Sequence, residues 1–261
     1  MPIQAASVEA APLVIVVGRH NFRKRTQLLE RLCADILRGG VPVCRFETFA
    51  YQTPKFLDEK LVLVLVPRGA GLCAQRTIPA IAARRAIKAL ILLFYPSRWH
   101  HFADVVLRRR HDVSRELRAF IRSRPGNRVY LLSNSAGCIA ACRVEDEPAV
   151  KAQIGIGYPF RNPDNGEEPY RTAALAGLRK PLVIIQGADD CYGSTEDARR
   201  YPLSPMVQLV SVEGGHAYEG LTEATYGRLL ALVAAVIGFE CPQDAPSVIG
   251  CEQEDPEAGG H

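Results

Sequence analysis

The stretch Val129-Tyr130-Leu131-Leu132-Ser133-Asn134-Ser135-Ala136-Gly137 carries an apolar run straight into a small-x-Ser-x-Gly turn, and a Cys-, Ile- and Ala-rich segment follows. The apolar run has the length of a buried strand, and the segment after the turn reads as a helix over 136–143. A serine at the tip of a tight strand-to-helix turn projects its hydroxyl away from the backbone. The next peptide N–H groups then face whatever is attacked. This is the local shape of a nucleophile elbow. Ser133 stands where glycine is commoner, so the turn needs partners elsewhere in the chain.

Those partners follow in order. Residues 181–187 read as a buried strand, and the loop after it carries Asp189 and Asp190, then Tyr192-Gly193. Residues 207–212 read as another strand, after which Gly214-Gly215 presents His216. Each group sits just beyond the C-terminal end of a predicted strand, where open parallel sheets place their sites. In such a trio the imidazole takes the serine proton and returns it to the leaving group, while the carboxylate fixes the imidazole tautomer. From the residues alone either aspartate can be the acid, and Asp190 can also cap a helix over 194–200. Cys138, one helical turn beyond Ser135, reads as packing.

Around this trio, apolar runs alternate with helical patterns in the manner of a parallel α/β sheet. Strands are expected at 13–17, 41–46, 61–66, 89–94, 128–132, 152–156, 182–186 and 207–212, and helices at 25–37, 75–86, 104–123, 136–143 and 222–237. The helix over 104–123 sets Val106, Val113, Leu117, Phe120 and Ile121 on one stripe, with arginines, Arg108 to Arg110 among them, on a solvated face. The expected architecture is a mostly parallel central sheet of about eight strands flanked by helices. Residues 11–239 read as one domain, 1–10 as a flexible N-terminus and 240–261 as a disordered tail. Roughly two dozen residues separate the strands ending near Ile156 and starting near Leu182, too few for a large lid domain.

Composition fits a folded enzyme. The chain has 261 residues, 48% of them hydrophobic and 23% charged, enough for a substantial core. The net charge of +4 is modest, and the tail acids Glu252, Glu254, Asp255 and Glu257 leave the body slightly more basic. No basic stripe interleaved with aromatics points to nucleic acid. The eight cysteines are scattered without paired CxxC spacing and read as reduced thiols. His100 and His101 lack the companions of a metal site, so neither metal nor cofactor is expected. With no leader-like start and no apolar run long enough to span a bilayer, a cytoplasmic chain without a membrane partner is expected.

From 61 to 237 the chain resembles the dienelactone-hydrolase-like branch of the α/β-hydrolase superfamily and its small predicted hydrolases. The match rests on the elbow at Ser135, on Gly157-Tyr158-Pro159-Phe160, on Gln186-Gly187-x-x-Asp190-x-Tyr192-Gly193 and on Gly214-Gly215-His216. It implies Ser135 as nucleophile, Asp190 as acid and His216 as base. Dienelactone hydrolases proper place cysteine in the elbow, so serine here favours serine-hydrolase chemistry. Pro67-Arg68-Gly69-Ala70-Gly71 resembles the family's His-Gly-Ala-Gly loop with arginine for histidine, which implies oxyanion N–H groups at Ala136 and Ala70. Tyr95-Pro96-Ser97 also fits the pattern. The Gly69 loop is preferred to the Gly18-Arg19-His20 turn because its distance to the elbow fits one helix, strand and helix. That choice leaves 11–60 as an atypical N-terminal strand-helix-strand unit outside the shared core.

The expectation is a serine hydrolase acting on an ester, thioester or related small-molecule acyl substrate through an acyl-enzyme on Ser135. The alternative is a catalytically inactive interaction or scaffold protein of the same fold. A nucleotide-binding protein is disfavoured, because neither glycine turn carries a Walker Lys-Ser pair or a Gly-x-Gly-x-x-Gly pattern. Arg68 and Arg98 can attract an anionic substrate, although each is commonly just solvated.

Overall fold

The computed structural model describes residues 10–18, 26–65, 78–99 and 113–241. Its strands are β1 (Ala11–Val17), β2 (Val43–Phe46), β3 (Asn127–Asn134), β4 (Val150–Ile156), β5 (Leu182–Gly187) and β6 (Val207–Val212). They lie in the order β2-β1-β3-β4-β5-β6, and every neighbouring pair is parallel. The helices are α1 (Gln27–Arg38), α2 (Phe49–Leu65), α3 (Ile78–Leu93), α4 (Val113–Arg122), α5 (Ala136–Cys142), α6 (Thr195–Ala198) and α7 (Glu223–Ile237).

Side chains alternate across a strand, and here both faces are covered, which is why the central strands read as unbroken apolar runs. Val14, Val16, Tyr130, Leu132, Ile154, Ile156, Val183 and Ile185 face α1 and α7, meeting Leu32, Ile36, Leu229 and Val233. On the other face Ile15, Val17, Val129 and Leu131 meet Leu117 and Ile121 of α4. Further along that face Leu182 and Ile184 pack on Cys138, Tyr158 and Phe160. Parallel pairing brings all six strands to one C-terminal edge, and Ser135, Asp190 and His216 all follow strands that end there.

Two expected strands are helical. Residues 61–65 close α2, and residues 89–93 close α3. Short runs of Leu, Val and Ile have the same length whether they end a helix or form a strand, so neighbours decide. No glycine interrupts 49–65, and α3 carries Ala80, Ala82, Ala83, Ala86 and Ala89, the residue with the best helix propensity. The expected helix at 75–86 therefore continues through 93 instead of yielding to a strand. The sheet has six strands among the described residues, not eight, and it has helices on both faces as expected.

β1 is not peripheral. It lies between β2 and β3, paired with β3 from Ala11↔Asn127 to Val17↔Ser133, so the N-terminal unit supplies the strand beside the elbow. The remaining boundaries shift by a residue or two. Of the expected helix at 104–123 the structure describes only α4 and its flank, where Leu117 and Ile121 are buried and Phe120 packs edge-on to Phe46 at 5.3 Å. Residues 1–9 and 242–261 lie outside the described residues.

The other side of α4 is tied to the turn before β4. Arg118 and Arg122 both bond the buried Glu147 carboxylate, at 2.6 and 2.8 Å, and Arg118 reaches Asp146 at 2.8 Å. The Arg122 and Arg118 hydrogen bonds hold Glu147 below the usual carboxylate range against the opposing effect of burial. A depressed folded-state pKa stabilises the fold above the unfolded value and loses that contribution as pH falls through the folded value. Glu147→Gln should therefore lower stability by about 1–2 kcal/mol at neutral pH, once the exposure of Arg122 is allowed for. The gap to the parent chain should shrink below about pH 4. Chemical denaturation at several pH values checks this, and a gap constant with pH would refute it.

Candidate active site

Ser135 joins β3 to α5 with φ 51° and ψ −125°, a left-handed backbone that non-glycine residues seldom adopt. Its own N–H donates to the Ile156 carbonyl at 2.9 Å, so β4 holds the turn as β3 ends. The turn closes against the end of β1. A Cβ on Gly137 would lie 2.1 Å from the Val17 carbonyl oxygen, so only glycine fits there. Ser133, the atypical first residue of the motif, is buried and donates its hydroxyl proton to the Ile154 carbonyl at 3.1 Å. The extra hydroxyl is thus absorbed by the neighbouring strand.

His216 reaches this serine from the loop after β6. Its Nε2 lies 3.0 Å from Ser135 Oγ, and its Nδ1 lies 2.8 Å from Asp190 Oδ2. The structure thus brings together the three side chains that the sequence separated by 81 and 26 positions. A tautomer with the proton on Nδ1 donates to Asp190 and leaves Nε2 to accept from the serine hydroxyl. Gly157, with φ 62°, follows β4 beneath the ring, where a Cβ would come 3.1 Å from His216 Cε1. Tyr192 covers another side, its ring centroid 4.5 Å from that of the imidazole. Tyr218, itself at φ 57°, is buried and donates to the Ile185 carbonyl at 2.7 Å, anchoring the histidine loop on β5.

Between the two candidate acids the geometry is unambiguous. Asp189 is exposed, and its backbone N–H donates to the Gly214 carbonyl at 3.0 Å, tying the acid loop to the histidine loop. Asp190 is buried and sends its carboxylate to His216. Nor does Asp190 cap the next helix, because Ser194 does so, with Asp197 completing a capping box. Asp190 Oδ1 accepts from the Tyr192 backbone N–H at 2.8 Å, and Oδ2 accepts from Gln186 Nε2 at 3.0 Å.

Gln186 is the residue whose role the sequence did not disclose. It is fully buried at the end of β5. Its Nε2 also faces the carbonyls of Gly193 at 2.6 Å and Tyr158 at 3.2 Å, while its Oε1 accepts from the Tyr158 N–H at 2.8 Å. One amide thereby fixes the acid, the turn beyond it and the chain leaving β4. The signal lay in the Gln186-to-Gly193 motif, but its meaning depends on the loop folding back over the strand.

Cys138 is buried behind the elbow, its thiol pushed up to about 12 by burial, so it stays neutral and packs as expected. Ala136 opens α5, where the helical ladder leaves the first N–H groups without an intrahelical acceptor. Ala70 and the Gly69 loop lie outside the described residues, as do His20, Arg68, His100 and His101. The strand at 61–66, on which the preference for the Gly69 loop depended, is instead the end of α2. The strand that lies beside β3 is β1, which leads directly into Gly18. Arg98 stacks on Phe56 at 4.2 Å, which makes it part of the helical packing. Among the described residues no cluster of three His, Cys, Asp or Glu side chains could hold a metal ion.

The family described as an alpha/beta hydrolase domain matches residues 104–233, a segment containing the elbow, the acid loop and the histidine loop. Residues 104–233 thus carry an alpha/beta hydrolase domain match. Similar solved structures include the esterase domain of a Rhodothermus marinus protein, at 15% identity and a TM-score of 0.49, covering 89% of this chain and 90% of that one. Est1E from Butyrivibrio proteoclasticus, with ferulic acid bound, matches at 12% identity and 0.48, covering 89% and 92%. A cold-adapted esterase from an Arctic intertidal metagenomic library matches at 13% identity and 0.48, covering 88% and 85%. No curated protein matches the sequence.

Gln186→Leu should leave Asp190 able to rotate away from His216. Misplacement of that size costs roughly a hundredfold in rate. Any hydrolytic kcat should fall by about that factor with KM little changed, while the Asp190→Asn variant gains nothing further from adding Gln186→Leu. Steady-state kinetics of the single and double variants check this, and independent, multiplying losses would show that Gln186 does not act through the acid.

Proposed function

We propose that the chain is a serine hydrolase of an ester, thioester or related acyl substrate, with Ser135 as nucleophile, His216 as general base and acid, and Asp190 as the group that orients His216. The observation that carries this proposal is the unbroken line Asp190 Oδ2, His216 Nδ1, His216 Nε2, Ser135 Oγ, with spacings of 2.8 and 3.0 Å. Those distances are within the range a proton transfer needs.

In the first half-reaction Ser135 Oγ attacks the acyl carbon as its proton passes to His216 Nε2, and the imidazolium is stabilised by Asp190. The tetrahedral oxyanion is met by the Ala136 N–H. Gly18, which follows β1 beside Gly137 of the elbow, is the preferred start of the segment that supplies the second donor, in place of the Gly69 loop. Collapse breaks the bond to the leaving group, which departs with the proton from His216, and an acyl-enzyme remains on Ser135. In the second half-reaction a water gives its proton to His216 and attacks the acyl carbon. Ser135 is expelled and takes that proton back, so one water is consumed and one carboxylic acid and one alcohol or thiol are released. The Tyr192 ring shields the imidazole on one side and makes one wall of the acyl or leaving-group site.

A fluorophosphonate probe should label the protein on Ser135, and Ser135→Ala should abolish labelling and reduce ester hydrolysis by about four orders of magnitude or more. A folded chain that never labels and hydrolyses no ester in a panel of chain lengths would instead be the interaction module of the same fold.

A further inference from the structure

The sheet ends differently at its two edges. At one edge β2 is four residues long and carries Arg45, bonded to Glu30 at 2.7 Å. Shortness and charge both blunt an edge against pairing. At the other edge β6 runs for six residues, Val207-Gln208-Leu209-Val210-Ser211-Val212, with no charge, proline or glycine. Its register with β5 is unbroken from Leu182↔Val207 to Gly187↔Val212, so no bulge twists it away. Among the described residues no strand pairs with its outer side.

The phase of the ladder fixes which groups that side offers. The Leu182 N–H donates to the Met206 carbonyl at 2.9 Å and the Ala188 N–H to the Val212 carbonyl at 2.8 Å. Alternate residues of a strand bond the same neighbour, so Gln208, Val210 and Val212 turn their backbone groups to β5. Val207, Leu209 and Ser211 turn theirs outward. The Val207 N–H already donates to the Ser204 carbonyl at 2.9 Å. What stays open is the N–H of Leu209 and Ser211 and the carbonyls of Val207, Leu209 and Ser211.

This set is self-complementary. A second β6 laid antiparallel about a two-fold axis at Leu209 exchanges both Leu209 bonds and takes each Ser211 N–H onto the Val207 carbonyl opposite. Every open N–H of both copies is then bonded, and the occupied Val207 N–H is not needed. A slip of one residue would set outward groups against inward ones. The side chains agree, because Leu209 meets its own copy, Val207 lies opposite Ser211 and Gln208 opposite Val210, with no like charges opposed. Ala198 of α6 packs in one cluster with Val207 and Leu209, and residues 195–200 balance Glu196 and Asp197 against Arg199 and Arg200. The last described turn of the chain lies away from this edge. Phe239 rests on Gly39, at the end of the helix that leads into β2 on the opposite edge.

We propose that β6 is the interface of a two-fold dimer, in which two copies of this chain join their edge strands antiparallel into one continuous sheet. The pairing is independent of the acyl chemistry of Ser135 and is tested without it.

Sedimentation equilibrium of the full chain should give twice the 28.6 kDa chain mass. Ser211→Pro removes an outward N–H and leaves the bonds to β5, which come from its neighbours, in place. With one hydrogen bond lost from each copy, association should weaken roughly thirtyfold. Gln208→Lys, at an exposed position, sets two lysines diagonally across the axis and should also weaken it. Thermal unfolding of the parent chain should rise with protein concentration, and that of the two variants should not. Gln208→Cys with Val210→Cys should link two copies under mild oxidation, because a non-hydrogen-bonded pair sets its Cα atoms about 4.5 Å apart, within disulfide reach. A parent chain that is monomeric at every concentration, a dimer that survives both single substitutions, or a dimer that does not link through positions 208 and 210 would overturn the proposal.

Discussion

The site depends on one close approach, that of Gly137 to the Val17 carbonyl. With no room for a Cβ between them, the elbow seats itself directly on the end of β1. That contact holds β1 against the strand that bears the proposed nucleophile and lets Ser135 occupy its left-handed backbone. Such strain persists only where the surroundings over-determine it. Here they do so through the Ser135 N–H bond to β4 on one side and the β1 carbonyl on the other.

On the opposite side of the serine the constraint is polar. Asp190 is removed from water and held by neutral donors, the Tyr192 N–H and the Gln186 amide, so among the described residues no cation competes with His216 for the carboxylate. A buried carboxylate supplied with hydrogen-bond donors keeps its orientation without losing its pull on the imidazole. Tyr218 and the Asp189 N–H then lock the histidine loop to the acid loop, which makes the Asp190, His216, Ser135 line a property of β5 and its neighbours rather than of free loops.

The back half of the fold was legible because each strand from β3 to β6 is short and apolar and runs into its site residue with few positions between. Asp190, His216 and Ser135 could be picked by their places after strands. The front half was less legible. The runs at 61–66 and 89–94 have the composition of buried strands, and only the alanines of α3 and the absence of glycine from 49–65 tell of helix, the latter against the contrary signal of Pro54 inside α2. Misplacing them pushed the N-terminal unit out of the sheet and supplied the strand spacing on which the preference for the Gly69 loop rested. Gln186 escaped notice as a hub for another reason. Hydrogen bonds from one amide to Asp190, Gly193 and Tyr158 exist only after the chain has folded back twice, and no spacing encodes them.

The central claim is that Ser135 carries an acyl group in the course of hydrolysis, and rapid mixing with a p-nitrophenyl ester tests it most directly. The account predicts a burst of p-nitrophenolate equal to about one equivalent per chain, with the acyl mass recovered on the Ser135 peptide after acid quench. Hydrolysis without a burst and with no acyl adduct on any peptide, or a burst that maps to a residue other than Ser135, would contradict it.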